Sequence, residues 1–215
     1  MKIAVLGTGM VGRTLSRRFV ELGHEVVLGT RDPDATAARA DWETIPGVGL
    51  ATFSVAADGA DLVVNASNGH ASLDVLIAAR LAELPGKVVL DVSNPLDFSA
   101  GFPPTLFISN TDSLGEQLQR AFPDARVVKG LNTLTAPLMV APASLPEPTT
   151  VFVCGNDADA KATVSDLLRD LGHADVLDLG GIEAARGTEQ WLPLWLRIMG
   201  ALGSPLFNLR IVRQG

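Results

Sequence analysis

Ile3 to Leu6 is a short apolar run with a β-branched bias, and Gly7-Thr8-Gly9-Met10-Val11-Gly12 follows it at once. No other stretch constrains the fold as strongly. The run predicts a buried strand. The glycines match the G-x-G-x-x-G pattern of a dinucleotide-binding turn when a helix comes next. That helix is legible: Val11, Leu15, Phe19 and Leu22 recur at helical spacing, and Gly23 stops it. Gly7 then serves the tight turn, Gly9 lets backbone approach a pyrophosphate, and Gly12 lets helix and strand lie close. The helix N-terminus directs free N–H groups and a partial positive charge at the phosphates.

A second strand is expected at Glu25–Leu28, a third at Val48–Phe53, a fourth at Asp61–Ala66, a fifth at Lys87–Val92 and a sixth at Arg126–Lys129. Helical patterns alternate with them, among them the stripe Leu73, Leu76, Ile77, Leu81, Leu84 and the segment Thr111–Phe122. Leu96 to Asn110 shows little regular pattern. The alternation predicts an α/β chain with a Rossmann-type, doubly wound, mainly parallel sheet. Thr150–Cys154, a helix capped by Asp157, and Asp175–Leu179 add a β-α-β unit. Residues 1–180 therefore read as a nucleotide-binding domain, and 181–215 as a short helical segment closing its cleft.

With 215 residues and 47% hydrophobic content, one domain with a small appendage is expected. The net charge of −7 argues against a nucleic-acid footprint. No apolar run has transmembrane length, since Trp191–Leu202 is short and contains Arg197. The chain opens directly on its first strand, so no leader is expected. A single cysteine, Cys154, excludes an internal disulfide and suits a reducing, cytoplasmic setting. No His/Cys/carboxylate cluster has metal spacing.

Gly29-Thr30-Arg31-Asp32 follows the second strand. An acidic residue there would bond the ribose of NAD, whereas an arginine nearby accepts the 2′-phosphate of NADP. A hydroxyl and a guanidinium come first, so NADP is favoured. Asp32 is either a ribose ligand or a turn residue ahead of Pro33. Arg39 is either a helper at the phosphate or an exposed helix arginine. Ala66, Ser67, Asn68, Asn94, Pro95, Asn132 and Thr133 also fall at strand ends, where ligand contacts concentrate. Asn65, Ser67 and Asn68 bond pyrophosphate or ribose, or simply cap strands. Asn94-Pro95 reads as a turn with an unusual peptide bond. Asn132 suits a nicotinamide carboxamide. The candidates for chemistry are His70 as acid, base or ring contact, Lys129 as proton donor or anion ligand, and Asn132. An ordinary charge at a strand end is an equal reading of Lys129. His24 and His173 are expected to be exposed, and Cys154 to be a packing residue.

These motifs occur together with Asp91-Val92-Ser93-Asn94-Pro95, Val127-Val128-Lys129-Gly130-Leu131-Asn132-Thr133 and Ala185-Arg186-Gly187-Thr188-Glu189. In this order they make the chain resemble the NADPH-dependent reductases of deazaflavin coenzyme F420, over nearly its whole length. The resemblance implies NADP on a Rossmann domain and hydride transfer between nicotinamide C4 and deazaflavin C5. It implies Thr8, Met10 and Gly12 at the pyrophosphate, Thr30 and Arg31 at the 2′-phosphate, and Asn132 and Thr133 beside the nicotinamide. Archaeal members tend to carry histidine where this chain has Asn132.

A small carbonyl or imine substrate is a competing expectation within enzymes, and a non-catalytic NADP sensor is one outside them. The β-hydroxyacid dehydrogenases are disfavoured, because Gly180–Leu194 lacks their Lys-x-x-x-Asn pair. Trp191, Leu194, Trp195, Ile198, Met199 and Leu202, widened by Leu192 and Leu196, form a stripe too broad for one sheet edge. Pro193 is expected in that helix's first turn. A homodimer is expected through this stripe, with Phe207–Ile211 as an arm over the partner's cleft.

Overall fold

The computed structural model describes residues 1–214. Ile3, Ala4, Val5 and Leu6 are all at most 1% exposed, which explains their uninterrupted apolar run: this strand is covered on both faces. It is β1 (Lys2–Leu6), followed by α1 (Met10–Glu21), β2 (Glu25–Thr30), α2 (Pro33–Ala37), β3 (Val48–Thr52) and α3 (Phe53–Ala57). Next come β4 (Leu62–Asn65), α4 (Ser72–Ala78), β5 (Val88–Asp91), a short ladder of β6 (Leu96–Asp97) with β7 (Thr105–Leu106), and α5 (Leu114–Ala121). The chain continues through β8 (Arg126–Gly130), α6 (Ala136–Val140), β9 (Thr150–Gly155), α7 (Ala158–Asp170), β10 (Asp175–Asp178) and α8 (Ala185–Leu202).

Eight strands form one sheet in the order β10-β9-β8-β5-β4-β1-β2-β3. All neighbours are parallel except β8 and β9. The chain runs β1 to β3 toward one edge and then returns through β4 and β5 on the other side, so the switch point lies between β1 and β4. Register aligns Leu6 with Gly29 and Asn65, Asn65 with Asp91, and Asp91 with Lys129. The carboxyl ends of five strands therefore open at one level, with the crevice of a doubly wound sheet above them.

Two apolar layers hold the sheet. Leu15 and Phe19 of α1, Leu138 and Met139 of α6, and Val164, Leu167 and Leu168 of α7 cover one face. Ala56 of α3, Leu76 of α4, Leu118 of α5 and Ile182 cover the other. Burying each large side chain is worth roughly 1.5–3 kcal/mol.

Several expectations change. The added β9-α7-β10 unit joins β8 antiparallel, because both ends of the 131–149 connection lie at the same end of the sheet. The 96–110 connection contains the β6–β7 ladder, and its cis peptide is Phe102-Pro103 rather than Asn94-Pro95. α8 starts at Ala185, so Pro193 sits inside the helix rather than in its first turn. His173 is buried, not exposed, and its Nε2 lies 3.0 Å from the Met139 carbonyl oxygen. Burial lowers its pKa, against the opposing effect of the Met139 carbonyl.

Candidate functional site

The first turn separates its three glycines by function. A Cβ on Gly12 would lie 1.9 Å from the Gly7 carbonyl oxygen, and one on Gly7, whose φ is +128°, would lie 2.5 Å from the Ala66 carbonyl oxygen. Both glycines are required by close backbone contact. Gly9 differs: a Cβ there meets nothing within 4 Å. It is the N-cap of α1 with φ −76°, and no side chain caps the first-turn amides of the helix. A cradle closed on the protein side and open above is what a pyrophosphate needs. Thr8 is half-buried, and Met10 is 68% exposed at the mouth.

At the end of β2 the Thr30 hydroxyl is buried and bonds to Thr36 Oγ1 at 2.7 Å, so it ties β2 to α2. Asp32 accepts from the Ala35 amide at 2.9 Å and caps α2, which gives it the turn reading over the ribose one. Arg31 is exposed at the tip. Arg39 lies just beyond α2, and its Nη1 donates to Thr8 Oγ1 at 3.1 Å. Its pattern in the sequence suits an exposed helix arginine better than a phosphate helper; it is exposed, and the fold brings it to the glycine turn.

The loop after β4 is bonded internally. Asn65 Nδ2 donates to Asp91 Oδ1 at 2.8 Å, Ser67 Oγ donates to Asn65 Oδ1 at 2.6 Å, and the His70 amide donates to Asn68 Oδ1 at 3.0 Å. Of the two readings of these residues, capping is the one their contacts display. Gly69 packs so closely on the Asn94 carbonyl that a Cβ would lie 2.0 Å from its oxygen. Ala66 is half-buried beside this loop and Pro95 is buried. The exposed His70 ring stacks on Phe107, with centroids 3.9 Å apart.

Asn132 Nδ2 donates to Asn94 Oδ1 at 3.0 Å, and Asn94 Nδ2 donates to the Asn132 carbonyl at 2.8 Å. This reciprocal pair bridges the loops after β5 and β8. Asn132 and Thr133, just past the end of β8, are buried, 3% and 2% exposed. Leu131 before them has φ +61°, a strained value for a non-glycine residue.

Lys129 is corrected most sharply. It is fully buried, and its ammonium donates to Asp91 Oδ2 at 2.8 Å, Glu189 Oε1 at 2.7 Å and the Ser93 carbonyl at 2.7 Å. All three protons are engaged, so Lys129 is neither a free proton donor nor a ligand for an incoming anion. Burial alone would lower its pKa, but the Asp91 and Glu189 carboxylates outweigh burial and raise it. Glu189 also accepts from the amides of Leu114 and Gly115 at 2.8 and 3.0 Å, capping α5. Arg186, one helical turn earlier, pairs with Glu116 at 2.5 Å. The Ala185–Glu189 motif thus fastens α8 to α5 and to the β5–β8 strand ends. Sequence reasoning did not assign Glu189, because its partners lie at least sixty residues away and leave no local pattern. Cys154 is a packing residue as expected, and burial pushes its thiol up to about 12.

Among the described residues no helix is long and apolar enough to cross a membrane, and no three His, Cys, Asp or Glu side chains are grouped to hold a metal.

The comparisons agree with this geometry. The family model described as NADP oxidoreductase, coenzyme F420-dependent, matches residues 2–95. The chain is 32% identical over 201 residues to Metalloreductase STEAP3 of Rattus norvegicus, covering 90% of this chain but only 38% of the rat protein's length. It is 28% identical over 205 residues to the F420-dependent NADP reductase of Methanocaldococcus jannaschii, covering 90% of each. A crystal structure from Arthrobacter sp. FB24, provisionally named an F420-dependent NADP-reductase, superposes with a TM-score of 0.96 at 56% identity, over 99% of this chain and 100% of that one. With its glycine cradle, its doubly wound sheet and this full-length likeness, the chain is an NADP-dependent oxidoreductase and belongs to the coenzyme F420-dependent NADP oxidoreductase family.

Proposed function

We propose that the protein transfers a hydride between NADP(H) and a deazaflavin acceptor, coenzyme F420, with a flavin-like ring system as the second reading. What supports this is the glycine turn, with open space at Gly9, together with the part-buried Asn94–Asn132 pair that joins the ends of β5 and β8. The two organic rings supply the hydride chemistry when bound. The protein's part is orientation and exclusion of water, which such a transfer needs more than a dedicated acid or base. Gly7–Gly12 and the first-turn amides of α1 receive the pyrophosphate, and Arg31 the 2′-phosphate. Thr30 supports that site from beneath through Thr36. Ala66–Asn68 and Asn94-Pro95 line the crevice, and the Asn94–Asn132 pair with Thr133 stands beside the nicotinamide. His70 and Phe107 offer an aromatic surface at the rim. In this reading 1–180 is the NADP-binding unit and α8 the wall that closes it, anchored by Glu189.

Turnover with an acceptor panel tests the proposal. NADPH oxidation is expected with F420, more slowly with FMN or FAD, and at most weakly with ketones or cyclic imines. NADPH should bind at least about tenfold more tightly than NADH, since a charge-assisted contact supplies roughly 1.5–3 kcal/mol. Preferred turnover of a ketone or imine would replace the deazaflavin reading, and tight NADPH binding without any turnover would favour a sensor.

We also infer a homodimer through the outer face of α8. Leu192 and Leu196 face the protein's own core, but Leu194 and Leu202 are 53% and 60% exposed, and Trp191, Trp195, Ile198 and Met199 are half-buried. The tail is not the arm expected from sequence. The Leu209 carbonyl accepts from the Thr150 amide at 3.0 Å and the Ile211 amide donates to Thr150 Oγ1 at 2.9 Å, so it docks on its own chain. Light scattering should give twice the chain mass, and Leu194→Glu with Leu202→Glu should halve it. A monomeric parent would exclude the dimer.

A further inference from the structure

The proposed NADP site leaves one neighbouring guanidinium without a role. Arg39 is exposed, and besides the bond to Thr8 it donates from Nε and Nη2 to the two carboxylate oxygens of Asp41 at 3.0 and 2.7 Å. Arg13, on α1, donates from Nη1 to the Asp41 backbone carbonyl at 3.0 Å. The 39–41 turn is thereby pinned against the helix whose N-terminus faces the crevice. Arg39 reaches the β1 turn from beyond α2, and Leu6 pairs with Gly29 in register, so the turn it touches and the β2 end that leads into Arg31 belong to neighbouring strands. The bidentate grip on a carboxylate is the donor arrangement that also receives a phosphate. The hydrogen bond from Arg39 holds the Asp41 carboxyl below its ordinary range.

We propose that Arg39 is a second ligand for the 2′-phosphate of NADP and that Asp41 is its built-in counter-anion. Asp41 keeps the guanidinium poised beside Thr8 and yields it to the phosphate on binding. A phosphomonoester carries roughly −1.5 to −2 charge at pH 7 and displaces a single carboxylate charge. The ribose hydroxyl of NAD does not, so the Arg39–Asp41 pair stays closed. Two guanidiniums and one competing carboxylate then set the NADP preference together. This inference rests on the NADP site proposed above.

Calorimetric titration of the full chain with NADP⁺ and with NAD⁺, without acceptor, separates the two levels. Both residues are exposed, so the variants are expected to fold, which melting curves verify. Arg39→Ala should bind NADP⁺ about tenfold more weakly and NAD⁺ unchanged. Asp41→Asn should bind NADP⁺ roughly two- to fivefold more tightly, as loss of an exposed ion pair allows, with NAD⁺ unchanged. In the Arg39→Ala background Asp41→Asn should have no effect. An Arg39→Ala protein that matches the parent, while Arg31→Ala loses NADP⁺ affinity, overturns the inference and leaves the site intact. A gain from Asp41→Asn that persists without Arg39 is simple repulsion and overturns the counter-anion role. Equal NADP⁺ and NAD⁺ affinities in the parent overturn both the inference and the reading beneath it.

Discussion

Gly9→Val is expected to leave the protein folded while weakening NADPH binding more than about a hundredfold, roughly 2.7 kcal/mol. The backbone at Gly9 admits a side chain, with φ at −76° and no atom within 4 Å of the Cβ position. The branched side chain would occupy the space through which phosphate approaches the α1 amides. Gly12→Ala is the contrast. Its single methyl would collide with the Gly7 carbonyl at 1.9 Å, so it should cost at least about 3 kcal/mol and lower Tm by roughly 6–12 °C. Melting curves and NADPH titration on the pair are the check. A folded Gly9→Val protein that binds NADPH like the parent would remove the pyrophosphate from this turn.

Lys129→Met should produce the largest loss of stability in the chain, about 3–5 kcal/mol by urea denaturation, or roughly 6–20 °C in Tm. The Lys129 and Asp91 side chains are 0% exposed and that of Glu189 is 1% exposed, so removal of the ammonium strands two carboxylates in the interior. Because Lys129 also holds the Ser93 carbonyl, the Asn94–Asn132 bridge next to it should loosen as well. The folded fraction of the variant should therefore bind NADPH more weakly. A loss below about 1 kcal/mol would mean that the hub does not join α8 to the strand ends as described.

The strand-turn-helix at the start of the chain was legible because its signals are local: apolar run, glycine spacing and helical stripe all lie within residues 3–23. The order of strand and helix was legible for the same reason. The direction of β9 was not, since periodicity is identical for parallel and antiparallel strands and only the geometry of the 131–149 connection decides it. His173 looked like an exposed turn residue because nothing nearby in sequence announces the Met139 carbonyl 34 residues away. Lys129 looked like a strand-end charge, because both carboxylates that neutralise it come from distant segments. Thr30 was identified by type at the right place, but its hydroxyl faces Thr36, a contact that depends on where α2 packs. The polar residues at the strand ends were located correctly; what their side chains bond to was a tertiary property.

Direct transfer between two bound rings is the central claim, and an isotope label tests it. NADPH deuterated at both C4 positions is incubated with F420 and the protein, and the reduced deazaflavin is analysed by mass spectrometry and NMR. The account predicts one deuterium retained on the deazaflavin C5. Reduced deazaflavin carrying only solvent hydrogen at that carbon, or no reduction at all with NADPH saturating, would contradict it.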